Sequence, residues 1–175
     1  MSASLLRVAF VGAGQMACHH LNVVARQHAV VVGVHDRAAD QAREFAAAVG
    51  TAIFSSIDSL IAGARLDIVH VCTPPGAHFD AAEAALDGGA AGRPFGVVML
   101  DVIVPGDIGG KEAVSQLTDI DPAVKAILVS GYAQDSVLAE FRDYGFQAVI
   151  TKPFTLQELG TTLDSVIGSS GWRVH

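Results

Sequence analysis

Positive charge is scarce in this sequence. Its 175 residues carry 11 Lys and Arg against 18 Asp and Glu, a formal charge of -7, whereas nucleic acids and acidic membrane surfaces are gripped by clustered cations. Neither class of partner is expected. Cysteine is nearly absent: Cys18 and Cys72 are too few for a disulfide framework and are read as reduced thiols packed as small hydrophobes, neither a redox pair nor metal ligands. Aromatics make up 6% while hydrophobic residues reach 51%. The apolar content is therefore mostly Ala, Val, Leu and Ile, as in α/β folds whose parallel strands are buried on both faces. No apolar run is long enough to span a bilayer, and Gly12 and Gly14 interrupt the first hydrophobic segment before a leader forms. A soluble, cytoplasmic protein is expected, with no protein partner indicated.

What is present is an alternating pattern. Strand-like runs rich in β-branched residues fall at 7–11, 29–35, 66–72, 96–101, 124–129 and 147–151, with a weaker one at 51–54. Helical spacing occupies 37–49, 78–86, 111–117, 136–144 and 156–166. Such alternation builds right-handed crossovers and an open, mostly parallel sheet with helices on both faces. The expected fold is a doubly wound α/β sheet of about seven strands in the order 3-2-1-4-5-6-7, with one first-half strand displaced as the alternative. The length suits a single domain over 1–175. Within it, the Gly-rich stretch DGGAAGRP at 87–94 marks a seam between a first half, 1–88, and a second, 89–168, with a flexible tail at 169–175.

The string VAFVGAGQMA sets Gly12, Gly14 and Ala17 in a G-x-G-x-x-A arrangement, directly after a strand and opening a helix. The first glycine permits a tight turn, the second lets backbone approach a pyrophosphate, and the small third residue lets helix and strand pack closely. The helix amino end then offers N–H groups to phosphate, which makes Gly12, Gly14, Gln15, Met16 and Ala17 the candidate cofactor contacts. The bland alternative is a strand-to-helix turn without a ligand. About twenty residues on, VGVHDR ends the next strand with Asp36, placed to accept from an adenosine ribose and so to favour NAD. Arg37 beside it could instead meet the 2′-phosphate of NADP, so the preference is a lean toward NAD.

With SSIDSLIAGARLDIVHVCTPPGAHFDAAEAAL, these strings resemble the glucose-fructose oxidoreductase and inositol dehydrogenase family over the first half. The resemblance implies a Rossmann half with weak or vestigial NAD binding, in which Thr73, Pro74, Pro75 and His78 flank the nicotinamide. It also implies a next strand ending in Glu-Lys-Pro, whose Lys assists hydride transfer, followed by a mixed α/β substrate domain. Here that strand reads VVMLDVIVPG, and Lys152-Pro153 lies two crossovers later. The hydride-site Lys and the substrate domain are thus missing, and enzyme activity is not expected.

From Gly92 onward, GRPFGVVMLDVIVPGDIGGKEAVSQLTDIDPAVKAILVSGYAQDSVLAEFRDYGFQAVITKPFTLQEL resembles the latter part of a flavodoxin-like response-regulator receiver, particularly receivers attached to hybrid sensor kinases. The hallmarks Asp101, Ser130 and Lys152 stand in order. The resemblance implies a phosphoacceptor Asp, a hydroxyl contact to the phosphoryl group and a Lys pairing with its oxygens. It also implies Mg²⁺ on an acidic pair at the receiver's first strand end. Gly12 and Ala13 end the first strand of this chain, and Cys72 and Thr73 end the strand before the seam. A hard cation wants carboxylates, so Mg²⁺ is not expected, no metal site is assigned, and the cluster is read as vestigial. Two half-families joined in one connection suggest a Rossmann and flavodoxin-like chimera, engineered by recombination and without catalytic activity. The alternatives are a phosphorylatable switch at Asp101 and a natural NAD-binding oxidoreductase fragment. Among the histidines, His19 and His20 point different ways on a helix and are expected at the surface or the cofactor edge, whereas His35 and His70 are expected as satisfied core residues.

Overall fold

The computed structural model describes residues 5–24, 29–73, 77–90, 95, 97–101, 110–131 and 141–167. The chain divides into two compact units, Met1–Pro94 and Phe95–His175. The first holds β1 (Leu6–Val11), α1 (Gln15–Val24), β2 (Ala29–His35), α2 (Ala39–Val49), β3 (Ala52–Ile53), α3 (Ile57–Gly63), β4 (Ile68–Val71) and α4 (His78–Ala90). Its strands pair in parallel, in the order β3-β2-β1-β4.

Strand β1 is central because, past Arg7, its run VAFV is apolar on both faces: Val8, Ala9, Phe10 and Val11 are all buried. Alternate side chains feed opposite layers. Val8 and Phe10 pack with Ala17 and Val24 of α1 and with Phe45 and Ala46 of α2. Ala9 and Val11 pack with Leu60 of α3 and Ala81 of α4 on the other side. The Phe10 ring lies 5.2 Å from that of Phe45, and truncating so large a core side chain to Ala costs about 3–5 kcal/mol. Helix α2 stops where Gly50 takes φ +74 and donates its N–H to the Ala46 carbonyl at 2.8 Å. Helix α3 lay outside the expected helices, being only 7 residues long and too short for a periodicity to declare itself. What starts it is a reciprocal cap between Ser56 and Ser59, each hydroxyl accepting the other's N–H at 3.1 Å.

The second unit holds β5 (Val97–Asp101), α5 (Gly110–Ile120), β6 (Lys125–Ser130), β7 (Phe146–Thr151) and α6 (Leu156–Ile167), with parallel strands in the order β5-β6-β7. Strand β6 repeats the logic of β1. Ala126 and Leu128 pack with Val114 of α5 and with Phe146, while Ile127 and Val129 pack with Ile150 and with Leu159, Leu163 and Val166 of α6. The carboxylate of Glu158 accepts the Thr155 N–H at 2.7 Å and caps α6; that bond and one from the Thr155 hydroxyl hold its pKa below the usual range.

The mixed α/β character and all the expected strands are present. They form two sheets, of four and three strands, where one continuous sheet in the order 3-2-1-4-5-6-7 was expected. The partial orders 3-2-1-4 and 5-6-7 follow from local crossovers, which a sequence declares. A run of Val and Ile looks the same at an edge as at a centre, so the pairing of edges is not declared. The glycines taken for the start of a seam at 87–94 belong partly to α4, which continues to Ala90. A Cβ on Gly88 would stand 2.8 Å from Cγ2 of Ile61 in α3, so this glycine admits a neighbouring helix. Of the helix expected at 136–144, residues 136–140 lie outside the described residues, and 141–145 form a turn. The tail at 169–175 also lies outside them. Among the described residues, no helix is long and apolar enough to cross a membrane.

Candidate dinucleotide site and strand-end cluster

In the first sheet the chain runs outward from β1 to β2 and β3, then returns to β4 on the other side of β1. The carboxyl ends of β1 and β4 therefore frame the switch point where such sheets bind ligands. Gly12 leaves β1 with φ +95 and donates its N–H to the His35 carbonyl at 2.8 Å. A Cβ here would stand 2.6 Å from the carbonyl carbon and oxygen of Cys72 and 2.9 Å from the Thr73 nitrogen. Only glycine fits, on both conformation and space. Gly14 differs: among the described residues no atom would lie within 4 Å of its Cβ, so the space beside it is open. The Cys18 N–H reaches the Gly14 carbonyl at 3.2 Å, and the first-turn amides of Gln15 and Met16 have no intrahelical acceptor. Gln15 and Met16 are exposed, whereas Ala17 is fully buried against the β1 core.

Asp36, half-buried, ends β2, and Arg37 beside it is exposed. The Asp36 carboxylate is already engaged: Oδ2 accepts the Ala13 N–H and Oδ1 accepts the Ala38 N–H, each at 2.7 Å. Past the end of β4 the Thr73 hydroxyl oxygen is buried with no hydrogen-bond partner among the described residues, an orphan that a polar ligand group would satisfy. Pro74 and Pro75 lie outside the described residues, and His78 opens α4. The open space at Gly14, the free first-turn amides and the orphaned Thr73 hydroxyl suit a dinucleotide.

Two connections were not visible in the sequence. His20 is half-buried, its Nδ1 lying 3.2 Å from that of His70 and 3.6 Å from the Cys72 sulfur, where a surface or cofactor-edge place was expected. Partners 50 residues apart leave no local signal. The bond from Asp36 to Ala38 had a local signal, since an Asp side chain commonly accepts the backbone N–H two residues on, whereas its bond to Ala13, 23 residues away, had none. His35 and His70 are satisfied, His35 by the Phe54 carbonyl at 3.0 Å and His70 by His20.

In the second unit, Asp101 ends β5 and pairs in register with Val129; Ser130 ends β6 opposite Thr151, and Lys152 follows β7. The Lys152 N–H donates to the Ser130 carbonyl at 2.7 Å. Ser130 is buried and Lys152 exposed. Three adjacent parallel strands thus deliver Asp101, Ser130 and Lys152 to one end of the sheet. Among the described residues, no group of three or more His, Cys, Asp or Glu is arranged to hold a metal ion.

Residues 6–91 match the oxidoreductase family with an NAD-binding Rossmann fold, and residues 75–164 match the response regulator receiver domain. Among curated proteins, the chain is 26% identical over 176 residues to UDP-N-acetylglucosamine 3-dehydrogenase of Acidithiobacillus ferrooxidans, covering 90% of this chain and 53% of that protein. It is 26% identical over 90 residues to the response regulator receiver protein CpdR of Brucella abortus, covering 51% of this chain and 73% of that protein. In fold it is similar to the WlbA dehydrogenase from Bordetella pertussis in complex with NADH and UDP-GlcNAcA, with a TM-score of 0.58 at 22% identity over 73% of this chain and 36% of that one. The chain thus spans about half the length of the dehydrogenase relative it matches. It belongs to the response regulator receiver family through residues 75–164, fused to an NAD-binding Rossmann domain of the oxidoreductase family at residues 6–91.

Proposed function

We propose that this fusion is a recombined α/β scaffold whose first unit binds NAD, weakly, without hydride-transfer chemistry of its own. The observation that carries the reading is the orphaned Thr73 hydroxyl at the switch point, with open space beside Gly14 at the start of α1. The first-turn amides of Gln15 and Met16 would meet pyrophosphate charge, Asp36 the adenosine ribose, and Thr73 the nicotinamide side. A bound NAD would supply a hydride-accepting ring. Against turnover stands β5, which ends in Leu100-Asp101 where the dehydrogenase resemblance implies Glu-Lys-Pro. Free thiols at Cys18 and Cys72 fit the reducing cytoplasm. Calorimetry of protein stripped of carried-over cofactor tests the reading. Micromolar binding of NAD or NADH that vanishes in Gly14→Val supports it, and absence of heat in a cooperatively folded sample refutes it.

A second reading, phosphorylation at Asp101, is favoured by the delivery of Asp101, Ser130 and Lys152 to one sheet end. In that reading the Lys ammonium neutralises phosphoryl charge. An intact mass unchanged after incubation with a small phosphodonor and Mg²⁺ would end it.

A further inference from the structure

The Asp36 carboxylate joins two backbone segments, the glycine loop after β1 and the approach to α2. The ladder between β1 and β2 pairs Val11 with His35 and runs on one step, Gly12 N–H to the His35 carbonyl at 2.8 Å. At the next step the backbone of β2 turns away into α2, and the Asp36 side chain takes over: Oδ2 accepts the N–H of Ala13, the residue between the two loop glycines, at 2.7 Å. Oδ1 accepts the N–H of Ala38, ahead of α2, also at 2.7 Å. A carboxylate offers about four lone-pair positions, so the remaining ones stay available for ribose hydroxyls while the backbone bonds persist. Ala13 N–H, being committed to Asp36, is withdrawn from phosphate binding, which falls to the first-turn amides of α1.

We infer that Asp36 is a positioning residue for the glycine loop, so that removing its carboxylate weakens NADH binding with no gain for NADPH rather than exchanging one for the other. The inference rests on the NAD-binding reading for its ligand and on the Asp36 bonds for its mechanism. Were Asp36 only a ribose contact and a repeller of 2′-phosphate, a small neutral residue there would relieve the repulsion and let Arg37 meet NADPH. As a strut, its loss leaves two backbone amides without their acceptors and frees the loop to leave the conformation in which α1 faces the pyrophosphate. Charge-assisted hydrogen bonds to backbone are strong enough for this to matter.

The test compares wild type, Asp36→Ala and Asp36→Asn by calorimetry with NADH and NADPH, and by residue-resolved amide hydrogen exchange. In Asp36→Ala, NADH affinity is expected to fall by about tenfold or more, with no gain for NADPH and with faster exchange at both Ala13 and Ala38. Asp36→Asn keeps one oxygen, so one of the two amides is expected to stay protected and the other not, which keeps the test open should the Ala variant fail to fold. Gain of NADPH binding in either variant overturns the inference, as does unchanged protection of Ala13 in Asp36→Ala or of both amides in Asp36→Asn. If wild type binds neither dinucleotide the NAD-binding reading fails, and the exchange measurement alone decides the strut.

Discussion

The Nδ1 atoms of His20 and His70 lie 3.2 Å apart and join α1, the helix that opens at the glycine loop, to β4. Between two imidazole nitrogens at that distance one ring donates and the other accepts, and a further proton would leave two donors facing each other. The His70 ring is stacked on Phe10 at 4.9 Å. Burial, and secondly the charge of His20, push the His70 pKa down from 6.5 to about 4.

A pH dependence of stability follows. Because the folded pKa is depressed, the unfolded chain binds the proton first, so stability is full above pH 6.5 and is lost as pH falls toward about 4. A shift of that size corresponds to roughly 3 kcal/mol. Urea midpoints measured from neutral pH downward should decline through this window in wild type and decline less in His70→Gln. Equal slopes in both would mean that His70 does not carry the effect.

The two cysteines should react very differently. Cys72 is buried, and burial pushes its thiol up to about 11, which keeps the nucleophilic thiolate rare at mildly alkaline pH. Cys18 is exposed on α1. Peptide mapping after brief iodoacetamide treatment should find the adduct on Cys18, with Cys72 labelled only after denaturation. Comparable labelling of both in folded protein would contradict the packing around β4.

Gly12 and Gly14 share a motif and should part company in stability. Alanine at position 12 must adopt φ +95 with its Cβ 2.6 Å from the Cys72 carbonyl, and strain plus overlap should cost about 2 kcal/mol or more. Alanine at position 14 meets nothing within 4 Å and should cost under about 1 kcal/mol. Thermal melts of the two variants distinguish them, and similar losses would mean that the loop conformation differs from the one described.

What the sequence disclosed, and what it hid, divides along chain distance. The apolar run at 8–11 in β1 and the glycine spacing after it announce a central parallel strand with a tight turn, because each signal lies within a few neighbouring residues. The contact of His20 with His70 has no such local signature, since residues far apart in the chain meet only once β4 pairs beside β1. Asp36 was legible as a polar group at a strand end, but its commitment to Ala13 required the register of β1 against β2. Asp101, Ser130 and Lys152 were legible because each ends or directly follows its own strand. That their strands form a separate three-stranded sheet was hidden, because composition does not say which edges pair.

Gly88 offers a test of one such hidden contact, since a glycine within a helix normally gains up to about 1 kcal/mol on replacement by alanine. Here the added Cβ would stand 2.8 Å from Cγ2 of Ile61, a stiff branched methyl on α3 that has little freedom to move aside. Overpacking of that kind costs about 1–3 kcal/mol, so Gly88→Ala should be net destabilising. In an Ile61→Ala background the obstructing methyl is gone, and the same substitution should turn neutral or stabilising. A double-mutant cycle by chemical denaturation reads the difference as coupling between the two helices. Additive effects, or stabilisation by Gly88→Ala alone, would mean that Gly88 does not admit α3 and belongs to the seam.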